Sequence, residues 1–168
     1  MQEEYFSIDL ERDELNRYFG GGIPKNSLIL LEGVDGGGKS LVCQRLTYSF
    51  LQNNSQVTYI STELNTLDFI KQMDSLNYPI RNELLHHKLM FVTMVPFLGT
   101  VKFEDDFIDK IIKSPKLFEK EIIIFDTLSF LLVKKKAGED AYFQIMNFFR
   151  KLNNLKKTVI FTVDLSLI

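Results

Sequence analysis

One cysteine, no tryptophan and only four prolines in 168 residues put several structural devices out of reach. A lone Cys43 can close no internal disulfide and cannot build a multi-cysteine metal centre, which favours a reducing compartment. No apolar run approaches the roughly 20 residues that a membrane-spanning helix needs. The opening residues MQEEYFSIDLERDE are acidic and lack a continuous apolar stretch, unlike a signal or transit peptide. A cytoplasmic location is the expectation. A basic excess is missing too: 20 Lys and Arg stand against 22 Asp and Glu, and lysines cluster only at Lys134, Lys135 and Lys136. This balance weighs against a dedicated nucleic-acid binder.

What is present is an ordinary globular balance, 45% hydrophobic and 25% charged residues, with fifteen phenylalanines for an aromatic-rich core. A chain of this length buries roughly 68–70% of its unfolded surface, enough for one core. No linker, repeat or low-complexity tract divides it, so residues 1–168 are expected to form a single domain. Short apolar runs at 27–32, 57–61, 89–95, 122–126 and 158–163 read as buried strands. Helical-period segments lie between them, at 39–52, 65–76, 104–114 and 139–153. In the last of these, Tyr142, Ile145, Phe149 and Leu152 share one face. Strands and helices taking turns predict an α/β fold, a mainly parallel sheet covered on both faces. Before the first run, Leu10, Leu15, Tyr18 and Phe19 are expected to dock a short helix that Gly20, Gly21, Gly22 and Pro24 terminate. Because Ile168 follows the fifth run directly, that strand is expected to be an uncovered edge, capped by a partner subunit or by further chain.

The densest chemical signal is GVDGGGKS, directly after the apolar run SLILLE. A strand, then GxxxxGK[ST], then a helix is the phosphate-binding P-loop pattern. Its glycines let main-chain N–H groups converge on phosphate oxygens with no Cβ in the way. Gly33 and Gly38 take the signature positions, and Asp35, Gly36 and Gly37 complete the loop. Lys39 is placed to reach the β- and γ-phosphates, Ser40 to ligate Mg²⁺, and Leu41 to add a helix N-terminal amide. The competing reading is a glycine-rich turn without a ligand. Asp35 would repel phosphate unless its side chain points outward.

A P-loop requires a second carboxylate for Mg²⁺, usually at the end of a neighbouring buried strand. EIIIFDT supplies Asp126 there. Hydrolysis further requires a group that orients or deprotonates water. Glu63, directly after QVTYIST, stands at a strand's carboxyl end, where a capping or solvated glutamate is an equally good reading.

GGGIPKNSLILLEGVDGGGKS, VTYISTELNTLDFIKQMDSLNY and IIIFDTLSF together resemble the KaiC-type ATPases of the RecA superfamily. Within them, the likeness is to the nucleotide-binding proteins of the archaellum motor, and it extends from about Leu10 to Val163. The resemblance implies a three-layer RecA-like fold, binding of ATP with Mg²⁺, and self-association into a hexameric ring. It also implies weak or regulatory hydrolysis with Glu63 as catalytic base. Partners implied are the motor ATPase and its membrane platform, with the protein peripheral to the membrane. Three departures stand out. Gly37 replaces the Thr, Ser or other small residue common in relatives, an exchange the loop is expected to tolerate. Asp164 stands where the fifth strand commonly bears histidine, and residues 1–168 are expected not to include the family's C-terminal hairpin region.

Other candidates read more plainly. His86 and His87 lack a third ligand at useful spacing and suit a helix end. Cys43 suits the core. Lys134 to Lys136 read first as a solvated loop, with a charge lent in trans to a neighbour's phosphate or contact with acidic partners as alternatives; Arg81 and Arg150 are further candidates to act in trans. Three functional classes follow: a nucleotide-gated assembly subunit, an active signalling ATPase, and a recombinase-like DNA binder, the last disfavoured by the acidic balance.

Overall fold

The computed structural model describes residues 4–11, 13–94, 113–127 and 139–164, with side chains of 139–146 left aside. The expected helix at 104–114 falls almost wholly outside these residues. Five strands, β3 (Leu28–Gly33), β4 (Val57–Ser61), β5 (Leu89–Thr93), β6 (Ile122–Asp126) and β7 (Thr158–Asp164), form one parallel sheet ordered β3-β7-β6-β4-β5. Helices α2 (Lys39–Gln52), α3 (Thr66–Ser75), α4 (Arg81–Leu85) and α5 (Glu139–Asn154) flank it, and a 3₁₀ turn at Pro115–Phe118 leads into β6.

All five residues of β4 and of β6 are buried, as expected of inner strands in a sheet covered on both faces. On one face Cys43, Leu46 and Phe50 of α2 and Phe69 and Met73 of α3 pack with Tyr59, Ile122, Ile124 and Ile160. On the other, Phe148 and Leu152 of α5 pack with Ile60, Ile123, Phe125 and Val159. Each large side chain fully buried in this way contributes about 1.5–3 kcal/mol. Phe149 and Leu152 belong to this second cluster, as the helical spacing predicted, and Phe148 joins them at 1% exposure.

Two expectations are corrected. The last strand is no edge: β7 lies between β3 and β6, with Leu28 to Gly33 paired to Val159 to Asp164 in register. Among the described residues the edges are β3 and β5; in β3, Leu28 and Leu30 stay 39% and 49% exposed while Ile29 and Leu31 face the core. In the lead-in, Leu15 packs against the core, but Tyr18 and Phe19 at the end of α1 (Leu15–Tyr18) are exposed. What anchors that segment is a separate ribbon, β1 (Tyr5–Phe6) antiparallel to β2 (Ile23–Pro24), and a buried charge. Arg45 of α2 donates to Ile8 O at 2.8 Å and to both carboxylate oxygens of Asp13. Gly22 is required here: its φ is 152° and a Cβ would sit 2.4 Å from Phe6 O.

The strand order positions the chemistry. Placing β7 between β3 and β6 sets the carboxyl ends of β3, β7, β6 and β4 side by side, so Gly33, Asp164, Asp126 and Glu63 face one region. Ligand sites of open parallel sheets lie at these ends.

Candidate functional site

The loop from Gly33 to Gly38 joins β3 to α2. Gly36 and Gly38 have φ of 69° and 82°, left-handed values that glycine adopts without strain. Gly38 is the N-cap of α2 and no side chain caps the helix, so the amides of its first turn point out toward the loop. That is the arrangement of an anion cradle. Leu41 is half exposed and can serve the cradle through its main chain only. Asp35 is exposed and its Oδ1 accepts the Gly36 N–H at 2.9 Å, which turns the carboxylate onto its own loop. Gly37 is tighter than expected. A Cβ there would lie 2.9 Å from Val34 O, so in this conformation the loop must shift to admit Thr or Ser.

Lys39 folds back over the loop: its Nζ donates to Gly33 O at 2.9 Å and Val34 O at 2.7 Å, and lies 3.9 Å from Asp164 Oδ2. The ammonium thus rests on the loop's own carbonyls, within reach of the region the amides face.

Asp126 is 5% exposed and its charge is met by hydroxyls. Ser40 Oγ donates to Oδ1 at 2.9 Å, Thr162 Oγ1 to the same oxygen at 3.2 Å, and Tyr59 Oη to Oδ2 at 2.6 Å. The two residues expected to serve Mg²⁺ are therefore in contact across 86 residues of sequence. A hydroxyl and a carboxylate are hard oxygen donors and fit that ion. Among the described residues no group of three or more His, Cys, Asp or Glu side chains converges to hold a metal alone. Phosphate and water would complete the coordination, as is usual for Mg²⁺ with nucleotides. The strand end is laced further: Thr62 N–H donates to Asp126 O, and Thr127, after a cis Asp126–Thr127 peptide, donates through Oγ1 to Thr162 O.

Glu63 stands in the turn between β4 and α3, its own N–H and that of Leu64 donating to Ser61 Oγ. Asn65 then caps α3 by accepting the Asp68 N–H. Partial desolvation, and next the charges of Asp126, Asp35 and Asp164, raise the Glu63 carboxyl above its ordinary value, against an opposing pull from Lys39. A raised carboxyl at the mouth of such a site suits proton transfer. Burial, followed by the Asp126 charge, pushes the Cys43 thiol and the Tyr59 phenol up, so both stay neutral.

The remaining candidates lie apart. His86 and His87 are exposed at the end of α4, His86 Nδ1 lying 2.8 Å from Asn82 O. Arg81 pairs with Asp74, and Arg150 is exposed on α5. Lys134 to Lys136 fall outside the described residues. The sequence reading missed Tyr59 and Thr162. Alternation along β7 puts Thr162 and Asp164 on one face, but nothing in the sequence says that this face meets Asp126.

A family model described as "ATPase: KaiC" matches residues 13–167. The chain belongs to the KaiC family of ATPases. Its relatives there include two named "Archaeal flagellar ATP-binding protein FlaH". The one from Methanocaldococcus jannaschii is 46% identical over 161 residues, 96% of this chain and 69% of the relative. The one from Methanococcus voltae is 40% identical over 161 residues, 96% of this chain and 70% of the relative. The crystal structure of the flagellar accessory protein FlaH from Methanocaldococcus jannaschii superposes with a TM-score of 0.86 at 44% identity, covering 98% of this chain and 73% of that one. The fold is accordingly RecA-like, as this family's is. Among the described residues, no helix is long and apolar enough to cross a membrane.

Proposed function

We propose that this KaiC-family chain binds ATP with Mg²⁺ and acts as a nucleotide-gated regulatory or assembly subunit of an archaellum motor, with slow hydrolysis. The observation that carries the reading is the Ser40–Asp126 contact beside the glycine loop, a pair separated widely in sequence and matched to a metal-bound triphosphate. In this reading the amides of 36–41 cradle phosphate oxygens, those of Gly36 and Gly37 leaving Asp35 Oδ1 and Val34 O, and Lys39 leaves the Gly33 and Val34 carbonyls for the phosphates. Ser40 and Asp126 would hold Mg²⁺, which would supply neutralisation of phosphate charge. Glu63 holds the proton of an attacking water.

The relatives' names support the motor assignment, and the reading extends to a cytoplasmic, single-domain protein that self-associates into a ring. It would dock peripherally on the motor ATPase and its membrane platform. An active signalling ATPase is the second reading, favoured by the raised Glu63 carboxyl. Titration calorimetry of ATP into Lys39→Ala tests the site: binding is expected to disappear, and unchanged affinity rejects the assignment. Steady-state turnover separates the two readings, a regulatory subunit falling well below the roughly 1–10³ s⁻¹ of typical enzymes. Sizing with and without Mg·ATP tests ring assembly.

A further inference from the structure

Tyr59 sits in the middle of β4 with 0% exposure, yet its hydroxyl reaches out of the apolar core to Asp126 Oδ2 at 2.6 Å. Its ring packs beside two rings that stack on each other at 4.2 Å, 4.8 Å from Phe69 of α3 and 5.9 Å from Phe91 of β5. Fully buried, the phenol is a fixed donor. Phenylalanine would pack equally well, so the hydroxyl is not explained by the core.

Its geometry explains it. Ser40 and Thr162 both donate to Oδ1, while Tyr59 alone among the described side chains donates to Oδ2. Without that bond a carboxylate on a strand end can rotate about its terminal torsion, whose wells are broad. With it, Oδ1 stays turned to Ser40. The same ring packs on α3, the helix that begins directly after Glu63, so one side chain ties Asp126 to the element that follows the proposed base.

We propose that Tyr59 is a positioning residue that holds the Asp126 carboxylate for Mg²⁺ at the nucleotide site, an inference that rests on the metal reading above. Partners of metal ligands commonly change metal affinity by about 10–100-fold when removed. Tyr59→Phe keeps the ring and deletes the donor. The test follows ATP affinity calorimetrically as MgCl₂ is titrated, in the full chain. Affinity in EDTA is expected to match the parent, while the Mg²⁺ concentration giving half the metal-dependent gain rises about tenfold. Leu152→Ala, in the core cluster on the opposite face of the sheet, serves as the packing control: it lowers the melting temperature and leaves the Mg²⁺ midpoint in place.

An unchanged midpoint in Tyr59→Phe overturns the proposal, as does an equal shift in Leu152→Ala, which would mark the effect as general loosening. Should Tyr59→Phe not fold, Phe69→Leu, which removes the ring nearest Tyr59 and loosens its hydroxyl, is expected to shift the midpoint the same way by less; no shift there also overturns it. A parent protein that binds ATP with no response to Mg²⁺ rejects the metal reading itself, and this assignment with it.

Discussion

Lys39 Nζ lies 3.9 Å from Asp164 Oδ2, each side chain 13% exposed, at the ends of two elements that the β3–β7 pairing brings together. The P-loop lysine thus has a carboxylate neighbour before any phosphate arrives. A triphosphate must compete with that carboxylate for the ammonium and bear its repulsion. Asp164→Asn is expected to tighten nucleotide binding, and ATP more than ADP because of its extra negative charge. The gain for ATP should be roughly three- to tenfold, the scale of about 1 kcal/mol of removed repulsion at a partly screened site. Calorimetric dissociation constants for both nucleotides check it. Weaker binding would instead make Asp164 part of the cradle.

Glu63→Gln separates chemistry from binding. ATP affinity is expected to hold or rise slightly, while turnover falls by roughly 100-fold or more if the carboxylate takes the proton. Equal turnover in variant and parent would retire Glu63 as the base.

The same substitution has a pH signature. Because the folded protein raises the Glu63 carboxyl above 4.5, the native state keeps this proton to higher pH than the unfolded chain does. Its contribution to stability is full below the ordinary value and is lost as pH rises through the raised one. Glu63→Gln removes that loss, so urea unfolding should show the variant gaining on the parent between about pH 4 and neutrality. A constant difference across that range contradicts the raised value.

Asp13 behaves in the opposite sense. Its hydrogen bonds from Arg45 lower its carboxyl below the ordinary 3.8, so this contribution is present above that value and fades only as pH falls below it. Arg45→Met removes a 7%-exposed guanidinium that also holds Ile8 O, and is expected to cost about 2–3 kcal/mol because the Asp13 side is partly open to water. Chemical denaturation measures the loss. Unaltered stability would show that the lead-in is held by apolar packing alone.

Gly22→Ala tests the lead-in ribbon. With φ at 152° and Phe6 O where a Cβ would stand, the β1–β2 pair must open or Gly22 must move. A loss of about 2 kcal/mol or more is expected, read as a lower urea midpoint. A neutral effect would show that the ribbon rearranges freely.

The sequence by itself determined the local elements and the loop chemistry. Burial on both faces wrote the apolar run Ile122 to Phe125 into β6 and β-branched and aromatic residues into β4, and left-handed backbone wrote Gly36 and Gly38 into the loop. These are short-range requirements, met by the residues that bear them. The order of strands was decided only by the tertiary structure, because apolar runs of similar composition do not record which pairs with which. Inserting β7 between β3 and β6 left β3 at one edge, and brought Asp164 to Lys39 and Thr162 to Asp126. Tyr59 carries the same lesson: along the chain it is one apolar residue in a buried strand, and its hydroxyl acquires meaning only from a carboxylate 67 residues away. Contact between residues distant in sequence depends on how buried faces stack, and that is a property of the whole core.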